Sequence, residues 1–130
     1  EIDGFILNRL QGALLNEAMR LYSDGYASSD EIDATIRDGL GLRWAFMGPF
    51  ETIDLNAPGG IKDYISRYGP IFVEMAKNQT KIPDWSEEAG KKLELERRKI
   101  LGHEELEDRA KKRNQLLKTL RKVKIDNGEV

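Results

Sequence analysis

Residues 4–22, GFILNRLQGALLNEAMRLY, carry helical spacing but little of the wet face that a surface helix shows. Leu7, Leu10, Leu14, Ala18 and Leu21 form one stripe. Phe5, Ile6, Ala13, Met19 and Tyr22 widen it or fall outside it. A helix apolar on several sides motivates the expectation of dimerisation. Its expected span is Asp3 to Asp24, with Asp3 as N-terminal cap and Gly25 as left-handed C-terminal cap. Asn8 and Arg9 are polar residues set into this surround near the helix start.

The remaining segments also read as helical, and the expected fold class is all-α. Ser28 and Glu31 have the spacing of a capping box, and Ile32 and Ile36 give the following element a short buried edge ended by Gly39. GLGLRWAFMG, residues 39–48, holds three glycines beside a Trp–Phe–Met cluster, and the expectation is an ordered, partly buried loop. Pro49 suits the first position of a helix that buries Phe50, Ile53 and Leu55. Ile61, Tyr64, Ile65, Tyr68, Phe72 and Met75 keep helical spacing, and Gly69-Pro70 should break or kink that helix. Ser86 caps the next stretch, and two helices flank Gly102. In the last of them Leu106, Ala110, Arg113, Leu117 and Leu120 form one narrow stripe, suited to a surface or a partner.

One hundred and thirty residues suit a single domain spanning 1–130. The sequence opens at Glu1, not Met, and enters the apolar helix at once; we read this as a cut, with something upstream. Cysteine is absent, which excludes disulfides and Cys-based metal sites and fits a reducing, cytoplasmic setting. No apolar run approaches a membrane span, so no membrane partner is expected. The net charge of −2 divides unevenly, −5 over residues 1–70 and +3 over 71–130. The basic excess is interleaved with acids on helices, as in EELEDRAKKR, which reads as solvated faces and not as a nucleic-acid surface.

Few residues could carry chemistry. His103 is the lone histidine, in a polar connector, and reads as inert. No clustered ligands predict a metal, and GLG lacks the strand and the remaining glycine of a nucleotide fingerprint. Two residues remain. Asn8 either bonds a neighbouring loop or aims an amide at a ligand. Arg43, between glycines and beside Trp44, either pins its loop through a salt bridge or offers a guanidinium fork to a carboxylate or phosphate.

Residues 4–60 as a whole resemble the C-terminal helical domain of the 3-hydroxyacyl-CoA dehydrogenase superfamily. The likeness rests on the G-F-x-x-N-R start, the E-A-x-x-L helix, the I-D motif and the G-P-F-E turn, in that order. It continues more weakly through the Tyr–Gly region, Ile82-Pro83 and the basic last helix. The Arg-aromatic-Ala-Phe-x-Gly-Pro run and the following L-N-A-x-G resemble the lambda-crystallin branch, that of L-gulonate 3-dehydrogenase. Carnitine dehydrogenases share this loop, whereas acyl-CoA members have a shorter run before the G-P-F-E turn.

The resemblance implies a dimerisation domain of the 6-phosphogluconate dehydrogenase C-terminal type. It implies a Rossmann domain upstream that binds NAD and supplies a catalytic His–Glu pair and a Ser. This chain would then bind no cofactor or metal itself and would be inactive alone. Asn8 matches the family's active-site Asn and would position the substrate oxygen or the catalytic His. Arg43 would hold the carboxylate of a small hydroxy acid. A homodimer is implied. The alternatives are the acyl-CoA branch of fatty-acid metabolism and a stand-alone helical structural protein.

Overall fold

A computed structural model of the chain describes the backbone of residues 2–129 and the side chains of residues 4–129. Among these residues every regular element is helical, as expected. Helix α1 (Ile2–Ser23) ends where the glycine signal placed its end. Gly25 takes φ +77°, the left-handed conformation that glycine adopts without a Cβ penalty. The Tyr26 N–H then donates to the Leu21 carbonyl (2.9 Å) and the Gly25 N–H to the Tyr22 carbonyl (3.1 Å), a Schellman cap. The expected cap at Asp3 lies outside the described side chains.

Two compact units divide the chain, Glu1–Gly90 and Lys91–Val130. In the first, α2 (Ser29–Ala34) opens on the predicted capping box. The Glu31 N–H donates to Ser28 Oγ, and the Ser28 N–H donates to Glu31 Oε2. The chain then stays helical where a loop was expected. A π-helical segment, Thr35–Leu40, leads directly into α3 (Gly41–Trp44). Gly39 therefore ends nothing. The wider turn is closed by the Gly41 N–H, which reaches back five residues to the Ile36 carbonyl. A Cβ on Gly41 would stand 2.8 Å from that oxygen. The glycines that suggest a loop are thus compatible with an over-wide helical turn, and one of them is required by it. Trp44 and Phe46 are half-exposed, so the aromatic cluster is less covered than its composition predicts.

Pro49 opens α4 (Pro49–Leu55) as expected. Its burial differs from the expectation: Thr52 is buried and Ile53 partly so, while Phe50 and Leu55 are 75% and 66% exposed. Helix α5 (Gly60–Asn78) runs unbroken through Gly69-Pro70, against the predicted break. Pro70 removes one N–H, and the carbonyl four residues back belongs to exposed Ser66, on the wet side of the helix. The start of α5 is held by two carboxylates. Asp54 Oδ1 accepts from the Ile61 N–H at 2.7 Å. Asp63 accepts from the Gly59 N–H through Oδ2 and from Arg67 Nε through Oδ1.

The connector after α5 is strapped to α1. Arg20 Nε donates to the Lys81 carbonyl (2.6 Å), Lys81 Nζ to Asp24 Oδ1 (2.6 Å), and Trp85 Nε1 to Asn16 Oδ1 (3.0 Å). Ser86 caps α6 (Glu87–Ile100) by accepting from the Ala89 N–H, and the first unit ends inside that helix. The second unit continues through a single 3₁₀ turn (His103–Glu105) into α7 (Leu106–Asp126). Along α7, Leu106, Ala110 and Leu120 are half-buried and Leu117 is exposed.

Two glycine substitutions should move stability in opposite directions. Gly41→Ala pushes a methyl into the Ile36 carbonyl and should cost about 2 kcal/mol. Gly39→Ala meets open space in a helical segment and should stabilise by about 0.5–1 kcal/mol. Urea unfolding of the two variants beside the parent measures both signs.

Acid should weaken the start of α5. The hydrogen bond from Arg67, and then that from the Gly59 N–H, hold the Asp63 carboxyl below the usual carboxylate range. Its contribution is present above the unfolded-state pKa of about 3.9 and is lost as pH falls through the lowered folded value. The difference in unfolding midpoint between the parent and Asp63→Asn should be largest near neutral pH and shrink below about pH 4. A difference unchanged down to pH 3 would refute this role.

Candidate functional site

Asn8 lies in the second turn of α1, exposed among the equally exposed Phe5, Leu7 and Leu10. Among the described residues its amide has no hydrogen-bond partner. Arg43 lies on α3, not on a loop. Its carbonyl accepts from the Phe46 and Met47 N–H groups, closing the helix end. Its side chain is exposed and joins no salt bridge among the described residues. The nearest acid upstream, Asp38, is already taken. Arg37 grips it with Nε on Oδ1 (2.9 Å) and Nη2 on Oδ2 (2.8 Å). That hydrogen-bonded pair holds the Asp38 carboxyl below the usual carboxylate range. Asp38 is thus paired with Arg37 and not with Arg43.

The π segment decides how Arg43 is presented. An extra residue in one helical turn rotates everything after it by roughly 100° relative to an unbroken α-helix. Leu42, Arg43 and Trp44 are thereby re-aimed together, and all three are exposed. Asn8 and Arg43 share no hydrogen bond; their elements are linked because α1 contacts α2, which continues into the π segment and α3. An exposed fork beside Leu42 and Trp44, with an open amide on a separate helix, can bind one anionic group and orient one neutral oxygen. It holds no base or nucleophile.

His103, in its 3₁₀ turn, is exposed. Among the described residues no group of three or more His, Cys, Asp or Glu side chains could hold a metal ion. No described helix is long and apolar enough to cross a membrane.

One feature escapes sequence reading. A groove of about 340 Å³ runs between the ends of α1 and α5, with Leu21 and Met75 in its wall and Glu17, Arg20, Asp24 and Lys81 around it. These four charges bond one another or the backbone, Arg20 Nη1 reaching Glu17 Oε2 at 2.7 Å. The groove is thus part of the strap. The partners lie 57 to 69 residues apart, and the sole local hint is a tryptophan in an otherwise polar connector.

Comparison with known proteins agrees with the motif resemblance. The family model of the 3-hydroxyacyl-CoA dehydrogenase C-terminal domain matches residues 4–102, a span that contains Asn8 and Arg43. Lambda-crystallin of Oryctolagus cuniculus is 40% identical over 126 residues, covering 95% of this chain and 39% of that protein. L-carnitine dehydrogenase of Oceanobacillus iheyensis is 38% identical over 126 residues, 90% of this chain and 38% of the relative. That of Pseudomonas putida is 48% identical over 73 residues, 55% of this chain and 23% of the relative. The chain therefore spans less than two fifths of the length of these relatives. With most of its residues matched, the chain belongs to the 3-hydroxyacyl-CoA dehydrogenase C-terminal domain family.

Proposed function

We propose that this chain is the substrate-side domain of an NAD-dependent 3-hydroxy-acid dehydrogenase of the L-gulonate 3-dehydrogenase type. The observation that carries the reading is the Arg43 guanidinium, exposed and without an acidic partner among the described residues, inside the family-matched span. A carboxylate at one end of the substrate is the group such a fork takes. A thioester offers no carboxylate there, which weighs against an acyl-CoA substrate. L-carnitine is also a 3-hydroxy acid with a free carboxylate, and the L-carnitine dehydrogenase relatives make it the second substrate to test.

In this reading the reaction oxidises a secondary alcohol to a ketone. NAD, held by a Rossmann domain upstream, would supply the hydride acceptor. The hydroxyl proton leaves to a base on that same domain. Arg43 holds the carboxylate, and the Asn8 amide donates to the reacting oxygen, so both residues position the substrate. The domain also dimerises in this reading. Support comes from the large apolar side chains left open on α1 and α5, Phe5, Leu7, Leu10, Ile65 and Phe72 among them.

The test is NAD reduction by the parent chain extended upstream of Glu1, offered L-gulonate, L-carnitine and 3-hydroxybutyryl-CoA side by side. A hydroxy acid should be preferred. Arg43→Ala should lower kcat/KM by roughly 10- to 100-fold, mainly through KM, and Arg43→Lys should recover part of it. Asn8→Ala should lower kcat more than it raises KM. Preference for the thioester with no response to Arg43→Ala would overturn the reading. The 130-residue chain alone should reduce no NAD, and robust turnover by it would do the same.

A further inference from the structure

We infer that α7 lies on an anionic lipid surface, with Leu116, Leu117, Leu120 and Val123 toward the lipid and unpaired cations around them on the headgroups. The acids of the EELEDRAKKR stretch stop at Asp108. Residues 109–125, RAKKRNQLLKTLRKVKI, hold eight Lys and Arg and no Asp or Glu, and all of them belong to α7. The family model ends at residue 102, so the match that supports the dehydrogenase reading assigns this helix nothing.

Ion pairing selects the face. At about 100° per residue, Leu116, Leu117, Leu120 and Val123 fall on one half of α7. Leu116 and Leu117 are each 54% exposed and Val123 is 42% exposed. Arg109, Lys112, Arg113, Arg121 and Lys124 border that patch, and among the described residues none of them joins an ion pair. Lys124 is half-buried and the others are exposed. Arg113 reaches only the neutral amide of Asn114. On the opposite side Lys111 is held by Glu107 (2.9 Å) and Lys122 by Asp126 (2.7 Å). The charge left over therefore surrounds the apolar patch.

The occupant must carry negative charge around an apolar interior. An anionic bilayer has that order, with headgroup phosphates outside and acyl chains beneath. Arg113 and Lys124 bound the patch about 16 Å apart along the axis, and their long side chains can reach back to phosphate while the leucines enter. Lys112 and Arg121 flank it on either side. Cations at both ends and on both sides suit a plane of headgroups; a protein groove that takes a helix carries its charges along two rims. Duplex DNA offers phosphates but no apolar floor. Helix α7 has no aromatic ring on which single-stranded bases could stack. The expectation of no membrane partner came from the lack of a spanning run, and a helix lying in the interface needs none, so that expectation is amended here.

The test is cosedimentation of the parent chain, extended upstream of Glu1, with vesicles of mixed phosphatidylglycerol and phosphatidylcholine and with vesicles of phosphatidylcholine alone. Binding is expected to the first and not to the second, and added salt should weaken it. A cation near such a surface counts for about five-fold in affinity, so Arg113→Gln with Arg121→Gln should weaken binding roughly 25-fold. Lys111→Gln with Lys122→Gln, on the paired side, should weaken it less than about three-fold. Leu116→Ser with Leu117→Ser should weaken it about ten-fold or more, which a purely ionic contact would not show. Far-ultraviolet circular dichroism checks that the variants stay helical, and the two cation pairs carry the comparison if the leucine variant does not fold. Equal loss from the two cation pairs, a folded leucine variant that binds like the parent, or no binding to the anionic vesicles overturns the inference. Tighter binding to duplex DNA at the same phosphate concentration overturns it in favour of a nucleic-acid surface.

Discussion

The chain carries more apolar side chain than its own helices cover. In α1 only Met19 and Tyr22 are buried among the described residues, while Phe5, Leu7, Leu10 and Leu14 face outward. Buried apolar area is what ordinarily offsets the entropy lost on folding. Here much of that area is still available to something outside the chain. The helices are consequently held at their ends by local chemistry: the Schellman cap at Gly25, the capping box at Ser28, and the Asp54 and Asp63 carboxylates at the start of α5. Packing supplies less, and the polar ends supply definition.

That balance explains how the candidate site is made. The groove beside the strap does not include Arg43. A five-residue hydrogen bond at Gly41 sets the phase of α3, and the Arg37–Asp38 pair removes the competing acid. Both devices are backbone or surface features, robust to what covers the apolar faces. In the proposed reading, Asn8 and Arg43 hold and orient a substrate and the reacting groups are supplied by another domain.

Local signals were legible in the residues themselves. Gly25, Ser28 with Glu31, Pro49 and Ser86 each act at short range, and the structure uses all of them as their chemistry predicts. Three readings failed for tertiary or cooperative reasons. Gly39 and Gly41 look like loop residues because composition cannot show that a wider helical turn needs the missing Cβ. Pro70 looks like a breaker, but the bond it removes falls on an exposed side of a long helix. Phe50 and Leu55 look like core, yet burial depends on what lies opposite, which a single sequence does not contain. Asn8 and Arg43 were drawn out by ordered family motifs; their own side-chain chemistry leaves both structural and functional readings open, because a side chain exposed in this domain does not by itself name what it meets.

The strap between α1 and the connector bears on how the chain reaches this state. Arg20 and Lys81 are separated by 61 residues, and Asn16 and Trp85 by 69. Closing a loop of that length costs entropy that must be met before the bonds form. Local caps need no such closure and can assemble first. During synthesis α1 therefore emerges well before its tether, and in that interval α2 is the element that it can contact. Chain order thus sets when the later half of α1 is tied down, and the bond between Trp85 and Asn16 leaves the earlier half, with Phe5, Leu7 and Leu10, as open as before.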